Sequence, residues 1–156
     1  MPKPKQDTRI GKLPPQYIFI LNPYPHERFS RCPNCGQPTR VRKLPLFIHV
    51  DPMQGVVLNK TCRFCPACDL LIAHRDELEE ILSRMFGEEV GDPGRQFLVL
   101  GTVERRAWRE GVKRPIDLSD MLGHMRDFRE VRAVHVEPGG WRPMAPPNTA
   151  EERRQR

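Results

Sequence analysis

At 156 residues, with 38% hydrophobic and 29% charged residues, the chain has the size of one folded domain or two small modules, and its 17 prolines point to irregular ends. No apolar run approaches the roughly 18–20 residues a membrane-spanning helix needs, and the basic start Met1-Pro-Lys-Pro-Lys5 is not followed by the apolar stretch of a secretory leader. The expectation is a cytoplasmic protein with no membrane segment, and since neither a P-loop nor a dinucleotide-binding glycine pattern can be written in it, no nucleotide cofactor.

Residues 1–14 carry Lys3, Lys5, Arg9 and Lys12 among prolines and read as a basic flexible arm. The apolar run 17–21, Tyr-Ile-Phe-Ile-Leu, ends at Asn22-Pro23-Tyr24-Pro25 and reads as a buried strand. Residues 41–50 and 56–64 read as a hairpin around Asp51-Pro52-Met53-Gln54-Gly55, because proline presets φ and glycine accepts a positive one. A third strand is expected over 70–73. Asp76 followed by Glu79 matches a helix start, Leu78, Ile81, Leu82 and Met85 recur at helical spacing, and Gly87 supplies a stop, so a helix is predicted over about ten residues from Asp76.

Beyond a polar break, residues 96–103 are apolar on both faces, as in a central strand, and residues 104–113 are basic around Trp108. Asp117 reads as the cap of a second helix whose stripe is Leu118, Met121, Leu122, Met125 and Phe128. Residues 131–137 read as a last strand and 138–156 as a proline-rich charged tail. The fold class expected is α+β. Residues 15–88 hold hairpin, third strand and helix, and residues 95–137 form a small strand-helix-strand unit.

Five cysteines in a reducing compartment point to metal before disulfides. Cys32-Pro33-Asn34-Cys35-Gly36 and Cys65-Pro66-Ala67-Cys68-Asp69 share one design, two cysteines three apart with proline after the first and a turn-forming residue after the second. Two such turns converge four thiolates into a tetrahedral site, with zinc, one per chain, as the default metal. These residues, with Pro33, Gly36 and Pro66, resemble the zinc ribbon class over residues 30–73. The resemblance implies a hairpin with a neighbouring strand and a structural zinc, but no particular role, because the class serves many processes and also occurs as plain structural inserts. Cys62 makes the second turn Cys62-x-x-Cys65-x-x-Cys68 and leaves two registers open. The matched prolines favour Cys65 with Cys68, while Cys62 and His74 supply the alternative ligands.

A closed four-thiolate shell leaves no position for water or substrate, so a catalytic metal is not expected. A reaction, if there were one, would fall first on His49 or His74, each two residues from an aspartate. Net charge is +6, but residues 1–75 hold 12 Lys and Arg against 4 Asp and Glu, whereas residues 76–95 hold 2 against 7. The basic half suggests contact with the phosphate backbone of nucleic acid through Arg28, Arg31, Arg40, Arg42, Lys43, Lys60 and Arg63, with Tyr17, Tyr24, Phe29, Phe47 and Phe64 either stacking on bases or forming core. The second reading is a zinc-stapled protein-interaction or scaffold module, with Trp108 as a possible anchor.

Overall fold

A computed structural model describes residues 9–52, 54–91, 94–114, 117–134, 136–137 and 140–141. In chain order the elements are β1 (Ile18–Asn22), β2 (Arg40–Val50), β3 (Gln54–Cys65), β4 (Leu70–His74), α1 (Arg75–Phe86), β5 (Phe97–Val103), α2 (Arg105–Lys113), α3 (Leu118–Leu122), β6 (Met125–Asp127), β7 (Glu130–Arg132), β8 (Val136–Glu137) and β9 (Gly140–Trp141). Seven strands form one sheet in the order β6-β5-β2-β3-β4-β1-β7, and β8 and β9 pair separately.

The sheet curls until its edges meet. β6 pairs antiparallel with β5 at one edge, β7 pairs parallel with β1 at the other, and only Phe128 and Arg129 separate β6 from β7. Arg129 N–H donates to Tyr17 O and Gln16 N–H to Asp127 O, so the chain itself closes the sheet into a barrel-like body. Phe19 of β1 stacks on Phe128 at the seam with ring centroids 4.2 Å apart.

Side-chain alternation follows from this geometry. Tyr17, Phe19, Leu46, Ile48, Val50, Leu71, Ala73 and Phe97 fill the interior, and α1 seats Leu78 and Leu82 among them. Ile20, Leu70 and Ile72 face the opposite way and pack on Phe29, Cys32 and Cys65. Phe47 and Val103 lie under Ala107, Met121 and Met125, where α2 and α3 cover the outside. Strands from both sides of the break near residue 90 therefore belong to one sheet, since β5 pairs with β2.

The expected hairpin, third strand, first helix and central strand are present, and Gly87 ends α1 in the left-handed region at φ 65°. Three readings need correction. Asp76 does not cap α1: His74 holds the N-cap position without a side-chain cap bond, and Asp76 sits in the first turn. The second helix stops at Leu122, because Met125 enters β6 and Phe128 the barrel seam, where strand pairing outweighs helical spacing. Basic residues 105–113 form a helix the sequence reading left unassigned. The last expected strand is divided into β7 and β8. Of the expected arm, residues 1–8 lie outside the described residues, whereas Ile10 and Gly11 donate to the Asp127 carboxylate and Lys12 N–H to Leu122 O. Of the expected tail, residues 138–139 and 142–156 lie outside the described residues.

Candidate metal centre

The first cysteine turn lies in the loop between β1 and β2, and the second is the turn between β3 and β4. In both, the residue after the second cysteine is left-handed, Gly36 at φ 78° and Asp69 at φ 55°, which turns the backbone back toward the sulfurs. Gly36 N–H donates to Cys32 O at 2.8 Å and Cys32 N–H to Gln37 O at 2.7 Å, closing the first turn. Asp69 replaces the glycine of the second turn and its carboxylate accepts from Tyr17 N–H and Arg129, anchoring that turn at the barrel seam. A short polar side chain is one of the few that tolerates this backbone region.

The four thiols Cys32, Cys35, Cys65 and Cys68 converge so that every sulfur lies within 4.8 Å of the others. Cys32 and Cys68 are 4.0 Å apart, Cys35 and Cys65 3.6 Å. A tetrahedron with metal–sulfur bonds of about 2.3 Å has edges of about 3.8 Å, so the sulfur cage has the dimensions of a four-thiolate site that can hold a metal ion and fits zinc. Asn34 N–H donates to Cys32 Sγ at 3.3 Å and its side-chain amide to Cys68 Sγ at 3.2 Å, the kind of donors that stabilise thiolate charge. Burial pushes the Cys32 thiol up to about 12 and raises Cys68, while the Gln37 backbone N–H lowers Cys35. A neutral buried thiol gives up its proton when a cation replaces it, so metal loading of this cage releases protons.

Cys62, from the alternative register, is outside this group. It lies in the barrel core, its thiol donates to Lys60 O, and burial pushes it up to about 12. His74 is equally committed: it is buried, and its Nδ1 meets the Asn22 side-chain amide nitrogen at 3.1 Å. Burial, ahead of its charged neighbours, lowers its pKa, so the imidazole stays neutral. His49 contacts Asp51 at 3.4 Å on the surface.

The residues read as phosphate contacts divide into two groups. Lys60 is buried with its ammonium 2.7 Å from Glu77, which also pairs with Arg28, and Arg31 donates to Gly36 O. Arg40, Arg42 and Lys43 are exposed on β2, with Arg63 partly exposed opposite Val41. Of the aromatics, Tyr17, Phe29 and Phe47 are core, while Phe64 lies under the Arg42 guanidinium, so they do not form a base-stacking platform.

The sequence reading missed the partners of Arg42 and Lys43. A cleft of about 460 Å³ opens where β2 runs beyond its pairing with β5, lined by Arg42 and Lys43 of β2, Arg105 of α2 and Arg126 of β6, with Arg105 donating to Lys43 O. Glu104 is the one carboxylate among the lining residues, and it is hydrogen-bonded to His124. The cluster of basic residues after Glu104 was the available signal, but only the closure of the sheet brings it beside residues 42 and 43.

No protein-family model, no curated protein and no solved structure matches this chain.

Proposed function

We propose that this is a zinc-stapled barrel, without catalytic metal chemistry, that binds the phosphate backbone of nucleic acid. Zinc is the metal the donor set favours, since four thiolates in a tetrahedral cage suit it, and one ion per chain closes the cage. Its work is mechanical. It ties the long β1–β2 loop to the β3–β4 turn, replacing apolar burial that this stretch of prolines and polar residues does not offer.

The observation that carries the binding reading is the cleft lined by Arg42, Lys43, Arg105 and Arg126 with a single, already engaged carboxylate. A concave surface lined by one sign of charge concentrates the field and attracts polyanions. Arg40 of β2 and Arg106 and Arg109 of α2 are further exposed cations, and Arg63 of β3 a half-exposed one. Because the aromatics are turned inward, recognition rests on phosphates and carries little sequence preference.

The test is fluorescence anisotropy of labelled single-stranded and duplex oligonucleotides with the zinc-loaded protein at rising salt. Binding that weakens steeply with salt and ignores sequence supports the reading. Absence of binding at low salt, with an intact fold, removes it and leaves the protein-interaction module.

A further inference from the structure

The thiol cage is asymmetric toward solvent. Cys32 and Cys65 are fully buried and Cys68 is half-buried, whereas Cys35 is exposed. Cys35 is therefore the ligand that a small solute meets first. Arg31 donates to Gly36 O, next in sequence to Cys35, so the exposed thiol belongs to a turn that also holds a guanidinium. Exposed thiolates in electropositive surroundings are the ones that react with oxidants, while buried ones are inert.

The cage also divides into two close pairs, and each pair joins one turn to the other. Cys35 Sγ lies 3.6 Å from Cys65 Sγ, and Cys32 Sγ lies 4.0 Å from Cys68 Sγ. Asn34 donates to both Cys32 and Cys68 and holds that second pair in place. Cys35 thus has a second thiol within a small movement of it, the arrangement in which an oxidised cysteine is resolved as a disulfide before it oxidises further.

We infer that Cys35 is a peroxide-reactive site, and that its oxidation exchanges the metal staple for a disulfide between Cys35 and Cys65. The Cys35 thiolate attacks one oxygen of hydrogen peroxide, the O–O bond breaks, Cys35 becomes the sulfenic acid and the other oxygen leaves as hydroxide. The Cys65 thiolate then attacks the sulfenic sulfur, the S–S bond forms and a second hydroxide leaves. Two protons from solvent turn the two hydroxides into water. Two thiolates have lost two electrons and the peroxide has gained them. Cys32 and Cys68 then remain as half of a tetrahedral thiolate shell, which is too little to retain zinc tightly. The new bond joins the β1–β2 loop to the β3–β4 turn, the same two segments that the metal joins, so the fold persists without it. The inference rests on the four-thiolate metal reading and is independent of nucleic-acid binding.

The experiment adds hydrogen peroxide stepwise to the full zinc-loaded chain, follows released zinc with a colorimetric chelator and locates disulfides by mass spectrometry of a non-reducing digest. The expected result is one zinc released per disulfide formed, a Cys35–Cys65 link ahead of any Cys32–Cys68 link, and reloading once a thiol reductant and zinc are supplied. Cys35→His keeps a zinc ligand at the exposed corner but removes the sulfur that oxidises, so it should slow release by about tenfold or more. Cys62→Ser should release zinc as the parent chain does. If the histidine variant fails to hold zinc, the disulfide map of the parent chain decides. A first disulfide within one turn or through Cys62, or zinc retained with all five thiols reduced in excess peroxide, overturns the inference and leaves the metal reading standing. Reduced protein that carries no zinc overturns the metal reading, and this inference with it.

Discussion

Asn34, in the first cysteine turn, donates its side-chain amide to the sulfur of Cys68 in the second, across 3.2 Å. One side chain thus bridges both halves of the metal cage and compensates thiolate charge. Asn34→Ala should leave the fold intact but weaken metal affinity by about 10- to 100-fold, the usual cost of removing such a partner. Asn34→Asp should be worse, because it sets a carboxylate against four thiolates. Competition with a graded series of chelators measures both, and unchanged affinity in the alanine variant would assign Asn34 to turn geometry alone.

The position of Cys62 separates it from its neighbours in a second measurement. Cys62→Ser should retain one zinc per chain by native mass spectrometry, whereas Cys35→Ser and Cys68→Ser should lose tight binding. With its thiol pushed up to about 12 by burial, Cys62 should also resist alkylation at pH 8 until the protein unfolds. Its contribution to stability is present below the ordinary thiol pKa and is lost as pH rises toward 12, when the unfolded chain ionises first.

Local signals were legible and long-range closure was not. The cysteine turns announce themselves because proline, spacing and a following turn residue all act within five positions. The strands around Ile18, Leu46 and Leu71 read correctly because each is a short apolar run bounded by breakers. Phe128 shows the limit: its spacing from Leu118 and Met121 fits a helix, yet its ring stacks on Phe19, more than a hundred residues earlier. The basic cleft failed for the same reason, since Arg42 and Arg105 become neighbours only through the β2–β5 pairing. Lys60 reads as a surface cation until α1 places Glu77 over it.

That pair gives a pH-dependent prediction. Burial raises the Glu77 carboxyl, but the hydrogen bond and charge of Lys60 outweigh it and hold the pKa below its ordinary 4.5. A depressed carboxylate contributes stability above its unfolded pKa and loses it as pH falls through the folded value. Wild type should therefore lose this component below about pH 4.5, and Glu77→Gln should lack it at every pH. The variant strands the buried Lys60 ammonium, with a cost of about 2 kcal/mol at neutral pH because Glu77 is partly solvated. Lys60→Met should recover most of that loss in the Glu77→Gln background. Urea midpoints across pH 3–8 test the set, and parallel curves for wild type and Glu77→Gln would refute it.

Barrel closure depends on two glycines that press on β6 from opposite sides. A Cβ on Gly101 would come within 2.1 Å of Arg126 O, and one on Gly11 within 2.2 Å of Met125 O. Both obstacles are backbone, so neither can yield without moving the strand. Gly101→Ala should destabilise by about 3 kcal/mol or more through strain at the seam, and Gly11→Ala by less, about 1–2 kcal/mol, since the terminal segment can lift away. Denaturant unfolding, with hydrogen exchange at residues 125–132, distinguishes local opening from global loss. A neutral Gly101→Ala would show that β5 and β6 do not approach this closely in solution.

The last prediction concerns the charge of the cleft rims. If binding rests on neutralising phosphates, the logarithm of affinity should fall linearly with the logarithm of salt, with a slope of about 0.9 per phosphate for duplex and 0.7 for single strands. Lys43 and Arg105 are the cations to reverse, because Arg42 also caps the Tyr17 and Phe64 rings and Arg126 holds Pro14; Arg105 donates to Lys43 O, so Arg105→Ala serves as the control for loss of that contact. Lys43→Glu with Arg105→Glu should weaken every sequence alike and reduce the salt slope by the equivalent of about two phosphates. Reversing Arg28 instead should change affinity little, since it lies outside the cleft lining and is paired with Glu77. The comparison separates a located interface from net charge: if reversal at Arg28 costs as much as reversal at Lys43 and Arg105 together, the cleft is not where the polyanion sits.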